Sequence, residues 1–575
     1  MNDKPNVIVI VTDDQGLGDV GCNNPLLRTP QLDLLRNESI RLQDFHTEPM
    51  CAPTRACLLT GMYSMKAGVW STLNGRYMLN EDAKTMPEYF HGAGYRTGIF
   101  GKWHMGESYP YRPQDRGFDR SVTFGGGVIG ETPDYWNNNY FDDVYLRDGQ
   151  PVRYKGYCTD VWFREALSFI SDCRDEPFFC YLPTNAPHDP YHIGKSYYQP
   201  YLELGLPERL ARFYGMIANI DENIGRLRRH LIRRSILDKT ILVFLGDNGS
   251  SGVQTNERGF VTQGYNAGLR GRKGHVFEGG HRNNCFIRWN EEALGRPHDT
   301  DGLSSVMDLL PTLLSLCKIP HHPGAGFDGM DLSRIIMENR SIPSDRELVI
   351  HCMQLDTPQK YKDFCVLKNP YRLVKQDQYL MLFNVREDPG QTNDVSVENP
   401  SVVGDYLAIY EKWWERASGL TGDYSYIHIG SQRQREVQLT CHEWHGSNAP
   451  AYSQKHVRQG IPASGFWMLE VEQTGVYQFA LWRWSPHSGL CLCDMAQEVP
   501  GTDQYEPLPV GRKYDILSAR IWVQGQTAFK AVAPGDSCAF FQIGLLKGKT
   551  KLQTWFHCRD SSLIGAYYVT VQKVS

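Results

Sequence analysis

Four stretches constrain this chain more than anything else in it: NVIVIV (6–11), YRTGIF (95–100), PFFCYLP (177–183) and TILVFLGDNG (240–249). They are apolar and rich in β-branched and aromatic residues, and segments with helical periodicity such as RLARFYGMIANIDENIGRLRRHL (209–231) lie between them. Strands buried on both faces and alternating with helices predict an α/β layered fold around a mixed, mostly parallel sheet sandwiched by helices. In that fold functional groups collect beyond the carboxyl ends of the strands. This pattern occupies residues 1–342, read as the first domain.

The character then changes. Residues 343–425 offer the short strand-like pieces FCVLKN, YRLVKQ and YLMLFNV followed by the aromatic-rich helix VVGDYLAIYEKWWERA, a small antiparallel α+β subdomain. Residues 426–575 have almost no helical signal and read as an all-β, jelly-roll-like sandwich, with strands such as FWMLEVE, GVYQFALWRW and AYYVTVQ between Gly, Pro and Asp turns. Its tryptophans, Trp444, Trp467, Trp482, Trp484, Trp522 and Trp555, could stack sugar rings, but alternating aromatics in strands are usually core, so the tail reads as a packed structural domain. Within it CHEWHG (441–446) is the segment expected to reach toward a substrate.

Charge and cysteine usage exclude some classes. The 60 basic and 65 acidic residues are interspersed, giving a net charge of -5 and no basic stripe for nucleic acid. No apolar run is long enough to cross a bilayer. The 15 cysteines follow no disulfide or zinc spacing, GLCLC (489–493) included, and read as buried thiols. With no leader-like segment ahead of NVIVIV the expected compartment is cytoplasmic, or periplasmic or extracellular if a leader has been removed.

The polar residues at the strand ends form a set. The first strand finishes in Asp13 and Asp14 and a later one in Asp247 and Asn248. Either pair alone is commonly a turn or a helix cap; together, crowded oxygen donors call for a hard cation, Ca²⁺ or Mg²⁺. GKWHMG brings Lys102 and His104 after a third strand, two residues apart and so on one side if the backbone is extended. PTNAPHDPYH adds His188 and His192 after a fourth, and GLRGRKGHVFEGGHR presents Lys273 in a glycine-rich loop. Cations and proton donors around a cation-bound anion suit a tetrahedral oxyanion, sulfate or phosphate. MCAPTRACLLTG (50–61) sets Cys51 at a helix N-terminus, where the dipole favours negative charge. A nucleophilic or structural thiol is the simplest reading, but a soft thiolate sits poorly beside a hard cation.

CAPTR matches the Cys-x-Pro-x-Arg signature of the type I, formylglycine-dependent sulfatases of the alkaline phosphatase superfamily, and DPGQTND (388–394) resembles that family's Asp-Pro-x-x-x-Asn stretch. The resemblance runs over roughly residues 5–400, and the tail is similar to the β-sandwich extensions of bacterial polysaccharide sulfatases. It implies that Cys51 is oxidised to formylglycine (3-oxoalanine) by a formylglycine-generating enzyme. Asp13, Asp14, Asp247, Asn248 and the modified Cys51 would hold one Ca²⁺. Arg55 would stabilise the aldehyde hydrate, Lys102 and Lys273 bind sulfate oxygens, His104 turn over the covalent intermediate and His188 protonate the leaving alcohol. Ala52 stands where many members have Ser.

The expected activity is sulfate-ester hydrolysis, most simply on a sulfated algal polysaccharide or glycosaminoglycan oligosaccharide. Arg270, Arg272, His275 and His192 are candidate substrate contacts, with His281 and Arg282 nearby; two or more of the loop's cations at the pocket would favour a polyanionic glycan. Competing readings are a phosphodiester or phosphonate monoester hydrolase with the same nucleophile, and a glycan-binding pseudoenzyme whose Cys51 stays a thiol.

Overall fold

The computed structural model describes residues 4–322, 324–420, 423–446 and 451–575. Ten strands make the central sheet: β1 (Asn6–Thr12), β2 (Ile40–His46), β3 (Arg96–Lys102), β4 (Arg120–Phe124), β5 (Val144–Arg147), β6 (Gln150–Arg153), β7 (Phe178–Pro183), β8 (Thr240–Gly246), β9 (Cys285–Arg288) and β10 (Asp299–Ser305). Their order is β10-β2-β9-β8-β1-β7-β3-β4-β5-β6. The four strands legible in the sequence, β8, β1, β7 and β3, are contiguous and mutually parallel at the centre of the sheet. β9 runs antiparallel between β8 and β2, and the β5–β6 hairpin closes one edge.

The continuous apolar runs follow from this position. Along β1, Val7, Val9 and Val11 enter one core while Ile8 and Ile10 enter the other, and β8 divides in the same way between Ile241, Val243, Leu245 and Leu242, Phe244. Helix α1 (Cys51–Thr60) covers the first face, and α2 (Cys158–Asp172) and α3 (Glu208–Arg233) cover the second. Every residue of α1 is buried, Arg55 included, so it is a core helix with no solvent face.

A second sheet of four antiparallel strands, Leu348–His351, Phe364–Lys368, Tyr371–Gln376 and Tyr379–Asn384, packs under the helix Pro400–Ala417. From Ile427 onward the chain forms two further sheets, of six and four strands, antiparallel except for one pair. Trp444, Trp467 and Trp484 are fully buried in this sandwich, while Trp482, Trp522 and Trp555 are half-buried. The connection into it lies along the first sheet's domain: Arg76 donates to the Asp423 carbonyl (2.9 Å), Tyr111 to that of Tyr426 (2.9 Å), and the His428 amide to Tyr109 (3.1 Å). No disulfide is formed among the cysteines, and all but Cys22, Cys352, Cys491 and Cys493 are buried. No described helix is long and apolar enough to cross a membrane.

Candidate active site

Thr12 and Gly246 face each other at the ends of the adjacent parallel strands β1 and β8, so the residues that follow emerge side by side. Asp14, turned by a left-handed backbone (φ 70°), donates its amide to Asp247 Oδ1 at 3.0 Å. Asn248 Nδ2 donates to Asp14 Oδ1 at 2.9 Å. Asp13, Asp14, Asp247 and Asn248 are all completely buried. Burial and the neighbouring Asp13 push the Asp247 carboxyl up to about 6. Asp13 Oδ1 and Asn248 Oδ1 are buried acceptors that receive no hydrogen bond. Crowded carboxylates with spare oxygen acceptors are the donor chemistry of a hard divalent cation, and the four residues fit one.

Three side-chain cations face these three carboxylates. Arg55, on the second turn of α1, donates to Asp247 Oδ2 (2.8 Å) and to the Lys102 carbonyl (3.3 Å), with Asp13 Oδ1 at 3.8 Å. Lys102, at the end of β3, donates to Asp13 Oδ2 (2.8 Å). Lys273 donates to Asp14 Oδ2 (2.8 Å) and to His188 Nε2 (2.7 Å). Burial alone would lower both lysines; Asp13 beside Lys102 and Asp14 beside Lys273 outweigh it, and both stay cationic. Burial would likewise raise Asp14, but His188 and Lys273 hold it well below the usual carboxylate range. The buried charges therefore balance, and a divalent cation would leave the site positive toward an anion.

Cys51 opens α1 and faces this cluster, its Sγ 3.6 Å from His104 Nδ1. Burial pushes the thiol up despite Lys102, so it is held un-ionised and is a poor nucleophile as it stands. His104 does not continue the strand. Its backbone is left-handed (φ 57°), which replaces the extended geometry the two-residue spacing implies, although both side chains reach the same cavity. Its Nε2–H donates to the Thr72 carbonyl (3.2 Å), which leaves the Nδ1 lone pair toward Cys51. Burial, with Lys102, His442 and Arg55 adding to it, holds the ring well below the ordinary histidine range and hence neutral. A neutral imidazole aimed at position 51 can accept a proton there.

Above these groups lies a cavity of about 470 Å³, with Cys51, Lys102, His104, His188 and Lys273 on its lining. One wall is the loop after β4, from Gly127 to Tyr140; the other comes from the β-sandwich and includes Tyr452, Ser453, Lys455, His456 and Glu506. The two walls are joined: the Thr132 amide donates to the Tyr452 carbonyl (2.9 Å), the Gln454 amide to that of Gly130 (3.0 Å), and Gln454 Nε2 to the carbonyls of Glu131, Asp134 and Tyr135. Nothing in the sequence marks Tyr452 or Glu506, which lie in irregular segments, or the short helix Gln454–Gln459 that carries Lys455 and His456. The run of amides Asn137, Asn138 and Asn139 after β4 was the available signal for the loop.

CHEWHG does not form the wall. Its Cys441–Glu443 turn packs behind the site, with His442 6.1 Å ring to ring from His104 and 3.1 Å from the Glu131 carboxylate: the turn is buried, its Cys441 amide tied to the Tyr567 carbonyl (2.8 Å) and the His445 amide after it to that of Phe466 (2.9 Å). Of the candidate substrate contacts only His192 lines the cavity, its Nδ1 facing the Asn139 carbonyl (3.2 Å) and its Nε2 accepting the Glu506 amide (3.1 Å). Arg270 points away, stacked on Phe277 and donating to the carbonyls of Arg258 (2.7 Å) and Gln391 (2.9 Å). Arg272 and His275 do not line the cavity, His281 is bonded to His46, and Arg282 pairs with Glu278. DPGQTND has a role in this arrangement: Gln391 accepts from Arg270 and from the Glu278 amide, tying down the loop that carries Lys273.

Residues 5–319 match the sulfatase family model, and the chain belongs to that family; it is a sulfuric ester hydrolase. An uncharacterized sulfatase of Schizosaccharomyces pombe is 27% identical over 528 residues, covering 71% of this chain and 93% of the relative. Human N-acetylgalactosamine-6-sulfatase is 29% identical over 368 residues, covering 58% of this chain and 66% of the relative. Among solved structures, Ps i-CgsB in complex with k-i-k-neocarrahexaose superposes with a TM-score of 0.64 at 27% identity, covering 71% of this chain and 92% of that one.

Proposed function

We propose that this chain hydrolyses sulfate esters of a carbohydrate through a formylglycine made from Cys51 by a formylglycine-generating enzyme, with one Ca²⁺ held by Asp13, Asp14, Asp247 and Asn248 together with the modified residue. The observation that carries it is Cys51 at the mouth of a buried helix, lining a cavity with Lys102, His104 and Lys273, whose two lysines bond the carboxylate cluster beneath. The relatives' carbohydrate substrates support the choice of a glycan.

Cys51 Sγ stands in for the oxygens of the hydrated aldehyde. When present, the hydrate supplies an oxygen nucleophile and the cation supplies positive charge against a sulfate oxygen. Arg55 orients that position through Asp247 and the Lys102 carbonyl, and Lys102 and Lys273 bind the remaining sulfate oxygens. The bond that breaks joins sulfur to the alcohol oxygen. His188 and Lys273, 2.7 Å apart, are a proton-holding pair facing the cavity and donate to that oxygen as it leaves. His104, with its Nδ1 facing position 51, would hold the proton given up there when sulfate leaves.

The test is sulfate release, followed by ion chromatography, from sulfated oligosaccharides by protein co-expressed with a formylglycine-generating enzyme. Multiple turnovers per aldehyde support the reading. Release of alcohol from phosphonate monoesters with none from sulfate esters would replace it with the phosphoryl alternative, and tight glycan binding without any turnover with the pseudoenzyme.

A further inference from the structure

The cavity's charge, read together with its two-domain wall, carries an inference about the sugar itself. Beyond the cluster beneath the floor, the exposed acidic and basic side chains on the lining are, among the described residues, Asp189, whose side chain is 63% exposed, Glu506 and Lys455. Two carboxylates thus oppose one ammonium at the rim. The two other candidate cations there add nothing: both nitrogens of His192 are engaged and burial lowers it to about 4, and burial also lowers His456. Arg209 and Arg212 line the groove on the outer side of Asp189 and Glu506 and not the cavity; Arg212 pairs there with Glu208 (2.8 Å) and Arg209 donates to Tyr191 and Ser251. The arginines of the Lys273 loop point elsewhere.

Such a rim repels a second anion and offers acceptors to hydroxyl donors. Carboxylates at the mouth of a pocket pair well with neighbouring sugar hydroxyls, which are neutral donors, and poorly with a uronate or another sulfate. Tyr452 adds an aromatic side chain to the wall, T-shaped to His456 with centroids 4.5 Å apart, of the kind that packs against the C–H face of a sugar. Resting on the sulfatase reading above, we infer that the cavity takes a singly sulfated, otherwise uncharged sugar with an uncharged neighbour: the substrate class is a sulfated neutral glycan and not a uronate-containing or densely sulfated one. Specificity is set at Asp189 and Glu506, one from each domain that forms the wall.

The test uses the full chain with aldehyde at position 51 and four substrates: a monosulfated neutral disaccharide, its uronate analogue, its disulfated analogue and a chromogenic aryl sulfate. The expected result is a kcat/KM at least about tenfold higher for the neutral monosulfated sugar than for either charged analogue, the ratio that about 1.4 kcal/mol of charge repulsion produces. Glu506→Lys, at an exposed position where folding is not at stake, should narrow the uronate gap several-fold. A charged analogue hydrolysed as well as the neutral one, or an unchanged ratio in Glu506→Lys, would overturn the inference and leave the sulfatase reading standing; hydrolysis of the aryl sulfate alone would overturn the inference and the carbohydrate substrate with it, leaving only the sulfate-ester chemistry. No release from any of the four would overturn both.

Discussion

Gly127→Ala isolates the base at the cavity floor without touching it chemically. Gly127 is not in the left-handed region, so alanine brings no backbone strain and acts only through space. Its Cβ would lie 2.3 Å from His104 Cε1 and 2.7 Å from both ring nitrogens, about 1 Å inside ordinary contact. The ring has little room to retreat: Tyr77 packs 5.3 Å from it centroid to centroid, His442 lies behind, and Nε2 is tied to Thr72. Nδ1 must therefore lose its aim at position 51. A displacement of about 1 Å costs on the order of 10²-fold in rate, or about 2.7 kcal/mol in barrier height. The repacking should lower stability by about 1–3 kcal/mol. Lys102 and Lys273 are untouched, so KM should stay near the parent value. The assay is steady-state turnover per aldehyde, with alcohol and sulfate followed separately; because His104 serves the second half of the reaction, a burst of alcohol should precede slow sulfate release. Parent-level kcat in a folded Gly127→Ala protein would refute the role given to His104.

Cys51→Ser should release at most one equivalent of alcohol and retain sulfate on the protein, visible by intact mass; repeated turnover would contradict the mechanism. Asp247→Asn removes the charge facing Arg55 at 2.8 Å and leaves one acceptor oxygen for the two donors, Arg55 and the Asp14 amide; an uncompensated buried cation predicts about 3–5 kcal/mol of destabilisation by chemical denaturation, with loss of Ca²⁺ binding by calorimetry. Chelation should abolish turnover and lower Tm, and Ca²⁺ at 100 times its Kd should restore about 2.7 kcal/mol. Glu48 is fully buried, and burial raises its carboxyl from 4.5 to about 8. The folded state then binds the extra proton, so stability present below pH 4.5 is lost as pH rises through about 8. Glu48→Gln should flatten the decline of Tm over that window, and an unchanged slope would contradict it.

The parts of the molecule legible in the sequence are those where one residue type has one use. β1, β3, β7 and β8 announced themselves because strands at the centre of a parallel sheet are apolar on both faces; β2 (IRLQDFH) and β10 (DTDGLSS) do not, because their sequences are half polar. The floor of the site was readable for a related reason: Asp13, Asp14, Asp247 and Asn248 directly follow central strands, so the sheet's register brings them together. The walls were not. Glu506 and Tyr452 reach the cavity through irregular segments whose course depends on packing between domains, here on Gln454 and the loop after β4, and no local spacing records that. Arg270 misled for the opposite reason. An arginine in a basic loop reads as a ligand for anions, yet its guanidinium is used to anchor the loop to Gln391 and Phe277.

The most direct test of the account is the mass of the tryptic peptide Leu42–Arg55, from protein co-expressed with a formylglycine-generating enzyme. The account predicts the aldehyde at position 51. An unmodified thiol there, alongside a modified control sulfatase from the same cells, would contradict it.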